Sequence, residues 1–261
     1  MHHWHWENLE GLPYLRCSLL DAWSHGFFTR QFAPRRPESL TPILDRSASA
    51  NWVRQVHGNE VLVPDEITVS PDDRSPADGV ISTQANQAVW VATADCVPAL
   101  IADVQTGQVA AVHAGWRGTS LRIVPRSIAR LQAQGSRIEN LRVALGPAIA
   151  GEVYQVSTSC AAEVAASIFP DVEDDQARLE KLAQVPESPL LSDPQIDTVP
   201  QARDRVRLDI RTINRIQLQQ LGFAAEQVSI APFCTFQDAE FFFSYRRERL
   251  KQVQWSGIVS R

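Results

Sequence analysis

Trp90-Val-Ala-Thr-Ala-Asp-Cys96-Val-Pro-Ala-Leu-Ile-Ala-Asp103-Val-Gln-Thr-Gly107-Gln-Val-Ala-Ala-Val-His113-Ala-Gly-Trp-Arg117-Gly118 is the stretch on which the reading of the chain turns. It reads as strand, turn, strand. Val97 to Ala102 is apolar apart from Pro98, and Gln108 to Val112 is nearly so. Asp103-Val104-Gln105-Thr106-Gly107 has turn composition, with Gly107 placed where a positive φ is needed. A short hairpin fixes its register through its turn. Folded about a centre between Val104 and Gln105, it sets Leu100 opposite Val109 and Cys96 opposite His113. Directly opposed residues have Cβ atoms roughly 4.5–5.5 Å apart. A thiolate and an imidazole at that distance can share a metal ion, or can act as nucleophile and base.

Working outward, Asn51 to Val63 reads as a second hairpin, turning at His57-Gly58-Asn59. His57 then sits at a strand end beside a glycine, which suits a ligand better than a core residue. Two imidazoles and a thiolate form a borderline-soft donor set suited to zinc. Three protein ligands leave one position open, as in catalytic rather than structural zinc sites. Ala77-Asp78-Gly79 opens a short strand and offers Asp78 as a carboxylate. Asp95, beside Cys96, is a second. After the hairpin, Gly115-Trp116-Arg117-Gly118-Thr119 leads into a helix, with Pro125 in its first turn and Ile123, Ile128 and Leu131 as an apolar stripe. A glycine-flanked helix start with Arg117 beside it can hold an anion.

Towards the N-terminus, residues 1–50 read as one or two strands followed by a polar, turn-rich loop from Pro34 to Ala50 that has room for a short helix. His2, His3 and His5 read as a frayed terminus, with Trp4 and Trp6 packing on the body. Towards the C-terminus, Leu141 to Leu145 is a buried strand. Ser157 caps an Ala-rich helix that carries Cys160 as a small core residue. Residues 170–206 change character, acidic and then punctuated by prolines, and read as a long exposed excursion with a short helix near 176–184. Asp209 caps a helix that Gly222 ends. Val228 to Ala231 is a strand. Phe241-Phe-Phe-Ser244-Tyr-Arg246-Arg247 is aromatic and then basic, and paired arginines can clamp phosphate.

Composition limits the function classes. The chain has 261 residues, is 44% hydrophobic and 21% charged, and carries a net charge of −5. No basic run points to nucleic acid. Its four cysteines are dispersed and form no Cys-x-x-Cys pair, which argues against a disulfide scaffold or a zinc ribbon. No secretory h-region is visible, and no run reaches the ~18 apolar residues of a spanning helix. These features predict a cytoplasmic protein with no membrane partner, and leave the oligomeric state open. Hairpins in the first half and helical crossovers in the second give a mixed α/β pattern rather than a Rossmann repeat.

Seven strings occur in order: Gln55-Val-His57-Gly58, Ala77-Asp78-Gly79, Thr93-Ala-Asp95-Cys96-Val-Pro98, Val112-His113-Ala-Gly-Trp-Arg117-Gly118, Gly146-Pro147-x-Ile149, Cys234-Thr235 and Phe243-Ser244-Tyr-Arg246-Arg247. Together they resemble the YfiH family, also called the polyphenol oxidase or laccase-domain family and, more recently, purine nucleoside phosphorylase. The resemblance covers residues from about 25 to 250. It implies a single α/β domain layered α/β/β/α with mixed sheets, spanning 1–261, and a zinc held by His57, Cys96 and His113. It implies phosphorolysis of adenosine, inosine or methylthioadenosine, and hydrolytic deamination of adenosine. Purine nucleosides and phosphate are the expected partners. Ala148, Gly151, Glu152 and Gln237 stand where many members carry further cysteines, so the resemblance does not extend to redox chemistry built on those.

Under this reading Arg117, with Arg246 and Arg247 behind it, orients phosphate. Asp95 or Asp78 moves a proton, and Trp116 or Phe243 stacks the base. The expected catalytic set is Cys96, His113, Asp95 and Arg117. The expected substrate-binding set is Asp78, Trp116, Arg246 and Arg247. A copper polyphenol oxidase is the first rival. It needs many ligands, whereas this chain has six histidines, three of them in its first five residues. A metal-free cysteine hydrolase using Cys96 and His113 is the second.

Overall fold

A computed structural model describes residues 3–70, 73–191 and 204–261. Its first sheet has six strands. They are β1 (Trp4–Leu9), β2 (Leu12–Cys17), β3 (His25–Phe28), β4 (Ser49–Asn51), β7 (Gln87–Thr93) and β15 (Gln254–Val259), in the order β1-β2-β3-β15-β7-β4. The second sheet also has six strands. They are β5 (Val61–Leu62), β6 (Gly79–Ile81), β8 (Val97–Asp103), β9 (Val109–Ala114), β10 (Leu141–Leu145) and β14 (Val228–Ile230), in the order β14-β10-β8-β9-β6-β5. A small third sheet joins β11 (Gln155–Ser157), β13 (Arg205–Leu208) and β12 (Leu190–Leu191). The described helices are α1 (Pro37–Leu44), α2 (Trp116–Ser120), α3 (Ile123–Ala133), α4 (Thr158–Ala166), α5 (Asp175–Ala183), α6 (Ile210–Gln220) and α7 (Tyr245–Glu248).

Alternation along β8 sets the layers, because successive side chains point to opposite faces. Val97, Ala99 and Ile101 pack with Ile128 of α3, Val164 of α4 and Ile213 of α6. Leu100 and Ala102 pack the other way, against Phe27, Val89, Val91 and Ile258 of the first sheet. The far side of that sheet, through Phe28, Trp90 and Val259, meets Leu40 of α1. The order is α1, first sheet, second sheet, then α2 to α6: the expected α/β/β/α arrangement. A strand covered on both faces reads as a continuous apolar run, which is how Val97 to Ala102 reads.

Several expectations are corrected. The central hairpin turns one residue later than its composition suggests. Asp103 pairs its N–H with the Gln108 carbonyl, and its carboxylate accepts from the N–H groups of Gln105 and Thr106. The centre therefore lies between Gln105 and Thr106, and Pro98 rather than Cys96 stands opposite His113. The slip is two residues, which preserves the face of every side chain. Asn51 to Val63 is not a hairpin. Its two ends join different sheets, β4 beside β7 and β5 beside β6, because each end completes a separate sheet edge.

The N-terminus is a strand rather than a frayed end. β1 pairs with β2 over its whole length, and the Trp4 indole donates to Ser229 Oγ. Residues 3–50 hold β1 to β3, the start of β4 and α1, so the Pro34–Ala50 stretch does contain the short helix it had room for; His2 lies outside the described residues. The 170–206 segment is not wholly an excursion. α5 buries Leu179 and Leu182 in the core, and β12 and β13 belong to the third sheet; Pro194 and Pro200 lie outside the described residues.

Candidate metal centre and adjoining cavity

β9 delivers His113 at the end of the second sheet, facing the first sheet and 3% exposed. Beneath it lies Asp78, fully buried just before β6. A carboxylate only accepts, so the 2.8 Å contact from His113 Nδ1 to Asp78 Oδ1 fixes the proton on Nδ1 and leaves Nε2 free as a ligand. The same carboxylate accepts from the backbone N–H groups of Val56 at 3.2 Å, His57 at 2.9 Å and Gly58 at 2.7 Å. One buried group therefore orients one imidazole and holds the loop that carries the other. His57 needs that anchor, since its backbone has φ 60°. Its ring meets that of His113 edge-on, with centroids 4.8 Å apart.

Cys96 enters diagonally from the start of β8. The donor atoms of His57, Cys96 and His113 all lie within 4.8 Å of one another. Zinc bonds of about 2.0–2.3 Å in a tetrahedron place ligand atoms roughly 3.3–3.6 Å apart, so side-chain adjustments on the order of 1 Å close the set around an ion. Gly115 stands opposite Cys96 and keeps the space open: a Cβ there would lie 2.9 Å from the sulfur and 3.3 Å from the His57 ring. Among the described residues this is the one convergence of three His, Cys or carboxylate side chains, and its donor types fit a borderline-soft ion. Burial works against the Cys96 thiolate, but His113 and His57 outweigh it and bring its pKa down to about 6. Burial likewise works against the His113 imidazolium, and Cys96 with Asp78 overcomes it, raising that pKa to about 9.

Asp95 has φ 89°, a region that non-glycine residues rarely occupy. Its contacts account for it. Thr235 Oγ1 donates to Asp95 Oδ1 at 2.7 Å, the Arg246 backbone N–H donates to Oδ2 at 2.7 Å, and Ile149 N–H donates to its carbonyl. Four of the sequence strings thus meet at one residue beside Cys96. The structure gives Asp95 the role of a clamp, with both oxygens engaged. Asp78 is a clamp too: every contact it makes is internal, and none of its surface faces the cavity.

A cavity of about 460 Å³ opens next to the trio, lined in part by Trp116, Tyr154, Cys160, Arg205 and Arg246. Trp116 follows Gly115 directly. Tyr154 is near enough to Cys96 that, after burial, the thiolate charge is the next cause raising its hydroxyl pKa. Arg246 donates to the Gln155 carbonyl and lies 4.9 Å over the Tyr154 ring. Cys160 packs against the core, as expected, and also lines the cavity, and burial pushes its thiol up to about 11.

Arg117 is exposed over Trp116, at the rim. Arg247 is a correction. Its two terminal nitrogens donate to the carbonyls of Thr235, Phe236 and Phe242 and pair with Glu248, so it staples the loop. Phe243 lies against Arg30, on the side of the first sheet away from this cavity. Tyr154 and Arg205 are additions the sequence did not suggest, since neither sits in a motif and only the third sheet brings them to the cavity.

Fold and site together define a class: a four-layer α/β protein with an open two-histidine, one-cysteine centre beside an aromatic and cationic cavity. The chain belongs to the YfiH family; residues 38–259 match the family model described as multi-copper polyphenol oxidoreductase laccase. It is 49% identical over 263 residues to a purine nucleoside phosphorylase of Synechocystis sp., covering 98% of this chain and 97% of that one. It is 32% identical over 198 residues to a purine nucleoside phosphorylase of Mycobacterium tuberculosis, covering 76% of this chain and 66% of that one. Among solved structures, YlmD from Geobacillus stearothermophilus superposes with a TM-score of 0.71 at 24% identity, covering 98% of each chain. YfiH from Bacillus licheniformis gives 0.70 at 21% identity, covering 97% of this chain and 98% of that one. These two likenesses bear on the fold. No helix among the described residues is long and apolar enough to cross a membrane.

Proposed function

We propose that the protein is a zinc-dependent purine nucleoside phosphorylase acting in the cytoplasm. The observation that carries this reading is the juxtaposition of the His57–Cys96–His113 centre with a cavity walled by aromatic rings and two arginines. The names of two relatives agree with its phosphorylase part.

In phosphorolysis a phosphate oxygen bonds to the anomeric carbon of the ribose. The bond from that carbon to the base nitrogen breaks, and its electron pair leaves with the purine. Arg246, held by Gln155 and Tyr154, is our candidate for orienting phosphate, with Arg205 across the cavity. A guanidinium suits a phosphate through paired N–H donors. Trp116 and Tyr154 provide flat apolar walls for the purine. A zinc ion on the trio would supply Lewis-acid stabilisation of negative charge developing on oxygen. His113 keeps Nε2 directed at that position because Asp78 holds the other nitrogen.

Deamination of adenosine, the second expected activity, gets less support from the geometry. It requires a carboxylate free to shuttle a proton, and both oxygens of Asp95 and of Asp78 are already acceptors. A second reading, the metal-free cysteine hydrolase, is favoured by one observation: the Cys96 sulfur and a His113 ring nitrogen lie within 4.8 Å, where each favours the charged form of the other. Product analysis separates the readings. Adenosine with phosphate should give adenine and ribose 1-phosphate, and omission of phosphate should abolish base release. Base release that ignores phosphate refutes phosphorolysis.

A further inference from the structure

On the far side of the first sheet, away from the metal centre, lies a second cleft of about 440 Å³ that no role above uses. That is within the size range of small-molecule sites. Its floor is Phe28, Phe32 and Leu40, all buried. One wall carries the half-buried Trp255 indole, with Trp52 against it edge-on at 5.5 Å. The lip carries Arg35, Arg36 and Lys251.

The charges around the lip are unequal. Glu10 is paired with Arg35, and Glu38 accepts from both Arg74 and the Trp52 indole. One face of Trp52 is covered by Arg74, and Arg35 lies over Phe32. Arg36 and Lys251 remain, exposed and with no acidic partner among the described residues. An acidic protein, at −5 overall, thus sets two uncompensated cations on the rim of an aromatic cleft. Isolated surface cations are common, but here they flank a concave apolar surface that includes the half-buried Trp255 indole. That combination accepts a flat ring together with an anion, and neither alone uses all of it.

We propose that this cleft is a second ligand site, for an organic anion that joins a planar heteroaromatic ring to a phosphate, the chemistry of a nucleoside 5′-monophosphate. The ring stacks on Trp255 over the apolar floor, and the phosphate meets Arg36 and Lys251. The site is independent of the proposed catalytic reading, since none of its residues borders the metal centre.

The test is calorimetric titration of the full chain with AMP, in the wild type and in an Arg246→Ala background that removes competition from the first cavity. AMP should bind in both. Affinity should fall at least tenfold in the double variant Arg36→Glu/Lys251→Glu and also in Trp255→Leu. The charge-reversed double variant should keep base release from adenosine unchanged. Inorganic phosphate and adenosine, titrated separately, should each bind at least tenfold more weakly than AMP in the Arg246→Ala background. AMP binding that survives both sets of substitutions overturns the proposal, as does binding abolished by Arg246→Ala alone. Phosphate binding as tightly as AMP overturns the aromatic half of the site, and adenosine doing so overturns the anionic half.

Discussion

Asp78→Asn is the substitution that asks most of this structure. It is nearly isosteric and removes one charge from a fully buried position. The carboxylate takes four donors, His57 N–H and His113 Nδ1–H on Oδ1, and Val56 N–H and Gly58 N–H on Oδ2. An amide has one oxygen, so it can serve only one of these pairs. With the oxygen towards His113, the Val56 and Gly58 N–H groups lose their acceptor. With the oxygen towards the loop, the amide N–H₂ faces His113 and forces the imidazole proton onto Nε2, where it blocks a metal bond. A buried donor without an acceptor costs about 1–3 kcal/mol, and two set a range of about 2–6. Val56 and His57 are exposed, so water recovers part of that and about 2–3 kcal/mol is expected. Urea unfolding should show the lower midpoint with an unchanged slope. Competition against a chelator should show zinc affinity reduced about 10–100-fold, the usual cost of losing an outer-shell partner. A variant with wild-type midpoint and zinc affinity within threefold of wild type would refute the assignment of Asp78 as the clamp.

Three further outcomes follow from single contacts. Gly115→Ala should lower metal content by tenfold or more while leaving the unfolding midpoint within about 1 kcal/mol, because its Cβ meets Cys96 and His57 rather than core; full occupancy in the variant would contradict it. In metal-free protein, alkylation of Cys96, followed by peptide mass spectrometry, should be half-maximal near pH 6 rather than the ordinary 9.0, and His113→Ala should move that midpoint upwards; a wild-type midpoint near 9 would contradict the pairing. His25 is buried and neutral, accepting from Cys17 N–H and contacting the Trp23 carbonyl, and burial lowers its pKa from 6.5 to about 4. The unfolded chain therefore binds its proton first, so this residue's contribution is complete above pH 6.5 and lost as pH falls towards 4, by about 3 kcal/mol; His25→Gln should flatten that part of the pH–stability curve, and an unchanged slope would contradict it.

The apolar pattern of β8 and β9 could be read from the chain because both faces of those strands are covered and every position is constrained. The trio was legible for a related reason. An error of one residue in the turn centre slips the register by two and leaves Cys96 and His113 on one face. Asn51 to Val63 misled because a Gly-Asn turn signal is local, whereas the choice between pairing its two ends and joining two sheets is made by distant strands. Asp78 and Asp95 read as candidate proton carriers because a carboxylate has the same sequence signature whether it touches substrate or holds backbone; the backbone N–H groups that each one accepts are visible only in the fold. Arg246 and Arg247 are adjacent and chemically identical, yet three carbonyls consume one and a tyrosine face presents the other to the cavity. Tyr154 and Arg205 were beyond reach, since the third sheet that places them is built from short strands far apart in the chain.

The central claim is that His57, Cys96 and His113 hold one catalytic zinc. It is tested most directly by metal content of tag-free protein, wild type beside Cys96→Ala, with adenine release measured on the same samples. About one zinc per chain, lost in the variant together with phosphate-dependent adenine release, is the predicted result. A wild type that releases adenine at full rate with no metal, or a variant that keeps its zinc, would contradict it.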